Sequence, residues 1–191
     1  MTTAIYELLF ETLTMKVAGI LLGLGLIGSH SFCLLQRDRV AALLIKFPRN
    51  RSYGVILTIL VSFIAYVFMS EIDMGEFFAF RTKILLLIPV GTFLVIRFCE
   101  EFLAVRAFGA SLLLLAAPVL DCAFLQPQMT RLLLPVLAYA WIIKGLFWVG
   151  MPYLLRDAID WVTAKNLRWK ACCFSGIAYG AALLIAAVLT Y

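Results

Sequence analysis

Residues 55–69 read VILTILVSFIAYVFM, a run with no charged side chain and no alternation of apolar and polar positions. A helix needs about 20 predominantly apolar residues to cross the roughly 30 Å of hydrocarbon in a bilayer. The strands of a membrane barrel would instead alternate apolar and polar residues. Similar runs recur along the chain, for example LLLLAAPV at residues 112–119. Because lipid cannot satisfy backbone polar groups, these runs predict membrane-spanning helices.

The composition supports this interpretation over the whole length of the chain. Of its 191 residues, 64% are hydrophobic and 14% are charged, whereas soluble domains are about 45–50% apolar and about 25% charged. We therefore predict an all-α fold, a polytopic transmembrane helical bundle that forms a single integral membrane domain over residues 1–191.

The apolar runs divide into six predicted spans, preceded by a short interfacial segment at residues 1–14. Glu7 and Glu11 are its only charged side chains, which is the wrong charge for a secretory signal, so we expect no cleaved signal peptide. The predicted spans cover residues 15–35, 52–70, 83–99, 108–124, 132–155 and 171–191.

The loops on one side of the predicted bundle carry most of the cations. Cytoplasmic loops of membrane proteins retain an excess of Lys and Arg, and we therefore predict that both termini lie on the non-cytoplasmic side of a bacterial-type inner membrane. The net charge of +5 is spread over several loops, which indicates contact with membrane lipids and no nucleic-acid partner. The cations after the first, third and fifth spans are Arg37, Arg39, Lys46, Arg49, Arg51, Arg97, Arg106, Arg156, Lys165, Arg168 and Lys170.

Lys144 is predicted to lie deep in the membrane. About thirteen residues separate it from Arg131 at the start of the fifth span, which corresponds to roughly 20 Å of helix. An ionisable side chain at such depth is costly and is by default a candidate functional group. Lys144 is therefore a candidate for substrate binding or charge relay.

Arg97, Glu100 and Glu101 form a second charged group at the end of the third span. The glutamates follow Arg97 by three and four residues, so both are within its reach on a helix. If the third and fifth spans are neighbours, Lys144 can reach the same carboxylates. The sequence then predicts a buried or half-buried ionic cluster, whose role is either structural or functional.

Asp121 and Arg131 are the remaining charged candidates. Asp121 comes shortly before the connection between the fourth and fifth spans, and Arg131 comes shortly after it. We predict that the two side chains pair across this connection. A structural role, which neutralises both charges and fixes helix register, is favoured over a functional one.

Four glycines mark predicted helix contacts. A spacing of four residues between glycines lets two membrane helices approach closely, and this spacing occurs in the first and last spans. Packing inside one bundle is favoured over a dimer interface. The residues are Gly19, Gly23, Gly176 and Gly180.

The residue inventory argues against a cofactor and against catalysis. His30 is the one histidine, so a haem with two histidine ligands or a histidine-rich zinc site is disfavoured, and we predict no cofactor. Gly109-Ala110-Ser111 superficially resembles the Gly-x-Ser motif of rhomboid intramembrane proteases, but residues 171–191 contain no histidine to complete that site. The five cysteines lack a redox or disulfide spacing and are predicted to be small packing residues.

Two functions remain in competition. The charged groups at membrane depth favour a transporter or permease for a small solute or ion. The short loops and the glycine faces are typical of a non-catalytic subunit or assembly factor of a larger membrane complex, which is the alternative to the favoured transport function. A homo-oligomer and other membrane subunits are both open as partners, and a lipid-modifying enzyme is the weakest hypothesis.

Overall fold

The structure, a computed structural model, describes residues 2–191 and contains helices and no strand within that range. Six helical segments are long and apolar enough to cross a membrane. The predicted all-α bundle with six spans is confirmed. The α-helices are α1 (Thr2–Tyr6), α2 (Met15–Leu35), α3 (Arg37–Lys46), α4 (Arg51–Glu71), α5 (Arg81–Phe98), α6 (Leu103–Cys122), α7 (Leu133–Gly150), α8 (Tyr153–Thr163) and α9 (Asn166–Leu189).

Short helical turns of other types complete these elements. A π-helical turn at Glu7–Glu11 follows α1, and a 3₁₀ turn at Phe47–Arg49 follows α3. Longer 3₁₀ segments, Gly75–Phe80 and Met129–Leu132, lead directly into α5 and α7 and extend the third and fifth spans.

Several spans differ from their predicted bounds. The third begins at Gly75 rather than at residue 83, and the sixth begins at Asn166 rather than at residue 171. The fourth begins at Leu103 rather than at residue 108, because the chain is already helical from the turn that contains Arg106. The fifth ends at Gly150 rather than at residue 155. Met151 leaves the helical conformation just before Pro152, as expected because the proline ring disfavours a helical residue ahead of it.

The helices pack in two groups. The first group is α2 lying along α9, and the second is α6 lying between α7 and α4. The α5 helix packs mainly against α4, and none of the residues in this fully described helix is buried. The core is therefore centred on α6, while α5 stands at the periphery of the bundle.

Glycine pairs bring the main helices close together. A Cβ atom placed on Gly109 would lie 2.9 Å from the carbonyl oxygen of Gly145, and one placed on Gly145 would lie 2.8 Å from that of Gly109. A Cβ atom placed on Gly23 in α2 would likewise lie 2.9 Å from the carbonyl oxygen of Gly180 in α9, and one placed on Gly180 would lie 2.9 Å from that of Gly23. Any larger side chain would force these backbones apart, so each crossing depends on glycine in both helices.

Both ends of the described chain lie at the same end of the bundle. Phe10 packs edge-on against Phe68 at the end of α4, with 5.0 Å between ring centroids. The Tyr191 hydroxyl donates to the carbonyl oxygen of Thr130 at 2.6 Å, and burial raises the pKa of the Tyr191 phenol. We call the other end, formed by α3, α8 and residues 99–102, the basic end. Which end faces the cytoplasm stays a prediction.

Candidate functional site

An apolar cavity of about 520 Å³ lies between α4, α5 and α6. Among the described residues that line it, the side chains that contain nitrogen or oxygen are Thr58, Ser62, Thr92 and Arg106. The other lining residues are Val61, Ala65, Ile84, Leu87, Ile88, Gly91, Val95, Cys99, Leu103, Ala107, Ala110 and Val149. The cavity is thus a hydrocarbon-like space within the spanning part of the bundle.

The cavity exists because α5 approaches α4 but does not pack closely on α6. One side-chain hydrogen bond joins α5 to α4, from Thr92 to Ser62 at 2.7 Å. The same Thr92 hydroxyl, which has a single proton, also lies 2.8 Å from the carbonyl oxygen of Ile88 in its own helix. A Cβ atom on Gly91 would meet no atom of the described residues within 4 Å, so the wall of the cavity is open at that position.

Arg106 closes the cavity at its basic end. It lies in the first turn of α6, and one terminal nitrogen of its guanidinium donates to the carbonyl oxygen of Val149 in α7 at 2.8 Å. Its Nε atom is buried and finds no hydrogen-bond partner in the described part of the chain. A buried donor without a partner is costly, but this Nε is enclosed by protein and is not open to the cavity.

A second cavity of about 500 Å³ adjoins the first and shares Cys99 and Arg106 with it. We call it the vestibule. Arg97, Glu100 and Glu101 supply its other charged side chains. An apolar chamber inside the membrane therefore continues into a charged one at the basic end.

The charges of the vestibule are arranged around Glu100. Its carboxylate lies 2.8 Å from the guanidinium of Arg51 at the start of α4, and 3.9 Å from that of Arg97. Glu101 is exposed and forms no ion pair with the described residues. The structure thus brings together three of the predicted charged residues, Arg97, Glu100 and Glu101.

Lys144 is not part of this group. It lies on the exposed face of α7 and forms no ion pair within the range that the structure describes. The third and fifth spans are not packed along one another, because α6 packs against α7 and α4 while α5 packs mainly on α4. The condition under which Lys144 would reach Glu100 or Glu101 is therefore not met.

Asp121 and Arg131 are also apart. Asp121 is exposed near the end of α6, and Arg131 is part of the 3₁₀ segment before α7. Between residues 2 and 191, neither side chain forms an ion pair shorter than 4 Å. The two side chains therefore do not pair with each other across the short connection.

The four predicted packing glycines lie between α2 and α9. A Cβ atom on Gly19 would lie 2.8 Å from that of Ala187, and Gly23 faces Gly180. Gly176 lies directly against the ring of His30. All four therefore have neighbours from the partner helix of the same chain.

Sequence reasoning missed several residues of the site. Arg106 was assigned to a loop, although it lies between apolar stretches on both sides and could have been recognised as a residue of the fourth span. Arg51 was counted only as a loop cation. No pattern in the sequence indicated that Ser62 and Thr92 would meet, because their contact depends on how α5 is placed against α4.

Across residues 2–191, no three His, Cys, Asp or Glu side chains are grouped so that they could hold a metal ion. What the residues offer is an apolar chamber, an arginine at its end and a charged vestibule. No family model, no curated protein and no solved structure matches this chain.

Proposed function

We propose that this protein is a small membrane carrier for an amphiphilic molecule. The molecule's apolar part occupies the cavity between α4, α5 and α6, and its polar part lies at Arg106. The observation that carries the proposal is an apolar cavity within the spanning helices that is bordered at one end by the half-buried arginine Arg106.

The lining of the cavity favours an amphiphile over an ion or a hydrophilic solute. A path for an ion needs successive polar groups to replace its water. Along most of this cavity the polar side chains are the three hydroxyls of Thr58, Ser62 and Thr92. All three hydroxyls already take part in a hydrogen bond with their own or a neighbouring helix.

The position of α5 supports uptake from the bilayer. A helix without buried residues, joined to α4 by one side-chain hydrogen bond, is held weakly compared with the glycine-packed helices. Pro89 lies within α5 and interrupts its hydrogen-bond ladder. Displacement of α5 would widen the opening that the cavity already has beside Gly91, which provides a route for an amphiphile to enter sideways from the bilayer.

The proposal is tested with the purified protein in phosphatidylcholine vesicles that contain a trace of lipid labelled with nitrobenzoxadiazole. Dithionite bleaches the label only in the outer leaflet. We expect wild-type protein to expose inner-leaflet label to dithionite for at least one lipid among single-chain and two-chain probes. Protein-free vesicles should retain about half of their fluorescence.

Gly91→Leu is the variant that tests the cavity. The new side chain enters open space in the lining, so it should fill the cavity and slow translocation without unfolding the protein. Gly25→Leu is the matched control, because a Cβ atom there also meets nothing within 4 Å and Gly25 is not a cavity residue. Wild-type protein that translocates none of the probes would overturn the proposal.

A second candidate, a subunit of a larger membrane complex, is favoured by one observation. Lys144 is exposed on α7 without an ion pair among the described residues, and a lysine in hydrocarbon costs about 2.5–3.5 kcal/mol on insertion scales. A partner helix with a carboxylate at the same depth would remove this cost. Lys144 is also about 9 Å of helix from Gly150, which is close enough for its ammonium to extend toward the lipid headgroups.

The two explanations of Lys144 differ in a measurable way. A stoichiometric membrane protein that co-purifies with the wild-type chain and is lost with Lys144→Met supports the subunit role. Co-purification that does not change with Lys144→Met, or its absence from the wild type, supports extension of the lysine to the headgroups.

A further inference from the structure

Five cations lie where the ends of α2 and α8 meet the starts of α3 and α9. Arg37 in the first turn of α3 donates to the carbonyl oxygen of Thr163 at 3.3 Å, and Arg168 in the first turn of α9 donates to that of Trp161 at 3.2 Å. Both guanidiniums are therefore held at the last turn of α8. We call this surface the basic junction, and its cations are Arg37, Arg39, Lys165, Arg168 and Lys170.

The basic junction lies at the ends of two membrane spans. The first span ends at Leu35 and the sixth begins at Asn166. The indole nitrogen of Trp169 in α9 donates to the carbonyl oxygen of Cys33 in α2 at 3.1 Å, and the buried Trp169 side chain fixes the two span ends against each other. Because a span covers the hydrocarbon layer, residues at its ends lie at the depth of the lipid headgroups.

The cations of the basic junction are not neutralised by the described part of the chain. None of the five forms an ion pair with a carboxylate of residues 2–191. Of the acids on α3 and α8, Asp157 is paired with Arg156 at 2.7 Å, while Asp38 and Asp160 are exposed without an ion pair in that range. Five cations against two unpaired acids leave the junction with a positive excess.

Large apolar side chains are exposed beside these cations. Leu35 at the end of α2 and Leu167 at the start of α9 are 85% and 80% exposed. The exposed ring of Trp161 lies 4.3 Å from the guanidinium carbon of Arg168. A free phosphate or another soluble polyanion would leave both leucines in water, whereas lipid chains next to their headgroups would cover them. The combination favours a lipid as the anionic partner.

From these observations we infer that the basic junction binds the headgroups of acidic phospholipids. The acidic oxygens of the lipid accept hydrogen bonds from its cations, and the adjoining acyl chains cover Leu35 and Leu167. Each Lys or Arg near an anionic membrane surface contributes about fivefold in affinity. The junction lies outside both cavities, so the inference does not rest on the carrier function.

The test is native mass spectrometry of the full-length protein released from detergent micelles that contain one added lipid. Phosphatidylglycerol, phosphatidic acid and phosphatidylcholine with identical acyl chains differ only in their headgroups. We expect both acidic lipids to bind about fivefold or more tightly than phosphatidylcholine. The preference should be smaller at about 0.5 M than at about 0.05 M ammonium acetate, because salt screens exposed charges. Equal affinities for the three lipids overturn the inference.

Lys165→Gln combined with Lys170→Gln tests the location of the site. Both lysines are exposed and form no ion pair with the described residues, so the double variant should fold, and its preference for acidic lipids should fall about tenfold or more. Lys165→Arg combined with Lys170→Arg should retain the preference. The matched control removes two exposed cations at the opposite end of the bundle, by Lys16→Gln combined with Lys83→Gln, and should also retain it.

The remaining outcomes are equally decisive. A preference for acidic lipids that survives the glutamine variant at Lys165 and Lys170, or that falls equally in the control, overturns the inference. Glycerophosphoglycerol, the headgroup of phosphatidylglycerol without acyl chains, separates a lipid site from a site for free phosphate esters. Binding of this compound as tight as that of the lipid would overturn the assignment of a lipid. None of these measurements depends on translocation, so the carrier proposal is tested separately.

Discussion

Arg51 and Glu100 form an ion pair of 2.8 Å that joins the start of α4 to the residues after α5. Both side chains are about half exposed, at 57% and 47%. The pair therefore fixes the position of the connection between α5 and α6 at the basic end more than it stabilises the fold. Arg51 is thus the partner of Glu100, one of the two carboxylates that the sequence analysis had proposed for Lys144.

A double-mutant cycle should detect this pair. We expect Arg51→Gln and Glu100→Gln to be non-additive by about 0.2–1 kcal/mol in the free energy of unfolding, as is usual for exposed pairs. Unfolding in a fixed detergent and salt concentration is the measurement. The same cycle with Lys144→Gln in place of Arg51→Gln should be additive, and coupling between Lys144 and Glu100 would contradict the structure.

Gly109→Ala should destabilise the bundle by about 1–3 kcal/mol. The added methyl group would lie 2.9 Å from the backbone oxygen of Gly145, so α6 and α7 would have to separate. Gly28→Ala is the control, because nothing lies within 4 Å of the added atom there. The midpoint of thermal unfolding should fall for Gly109→Ala and stay level or rise for Gly28→Ala, and equal midpoints would refute the close contact.

Loss of the hydrogen bond between Thr92 and Ser62 should loosen α5. We expect Ser62→Ala to lower the free energy of unfolding by about 0.6 kcal/mol and by at most about 1.7 kcal/mol, the range for hydrogen bonds between membrane helices. Ser29→Ala is the control, because Ser29 donates to the carbonyl of Leu26 in its own helix. If the loss of unfolding free energy in the Ser62→Ala/Thr92→Val double variant equals the sum of the losses in the two single variants, the two hydroxyls are not hydrogen-bonded to each other.

The topology can be tested with single cysteines introduced at Met74 and Asn166 in a background without the native cysteines. Met74 precedes the third span and Asn166 begins α9 at the basic end. We expect a membrane-impermeant maleimide to label them from opposite sides of the membrane, with Asn166 on the cytoplasmic side if the positive charges set the orientation. Labelling of both from one side would be incompatible with six spans.

Hydropathy alone was enough to predict the fold class and the number of spans. The first span, Met15–Leu35, was predicted with the bounds that the structure has. This works because the bilayer imposes a length and an apolar composition on each helix separately. The bounds were wrong where a helix extends beyond its apolar run, as at Arg106 in α6 and Asn166 in α9, and where Pro152 ends the fifth span before its apolar run ends. Hydropathy marks the apolar part of a helix and not its hydrogen-bonded ends.

The site was predicted only in part. Arg97 and Glu100 could be associated from their spacing, because residues three apart on a helix are neighbours whatever surrounds them. The supposed approach of Lys144 depended on which spans are adjacent. Adjacency is decided by small differences in surface shape, such as the facing glycines Gly109 and Gly145.

The sequence by itself thus determined a six-span helical bundle with its cations concentrated at one end, because lipid constrains each helix through length, hydropathy and charge. Only the tertiary structure decided that Lys144 faces outward, that Arg51 pairs with Glu100, and that a cavity ends at Arg106. Apolar side chains are equally compatible with lipid and with another helix, so hydropathy cannot choose between neighbours. That choice comes from close packing, which depends on the shapes of two helices together.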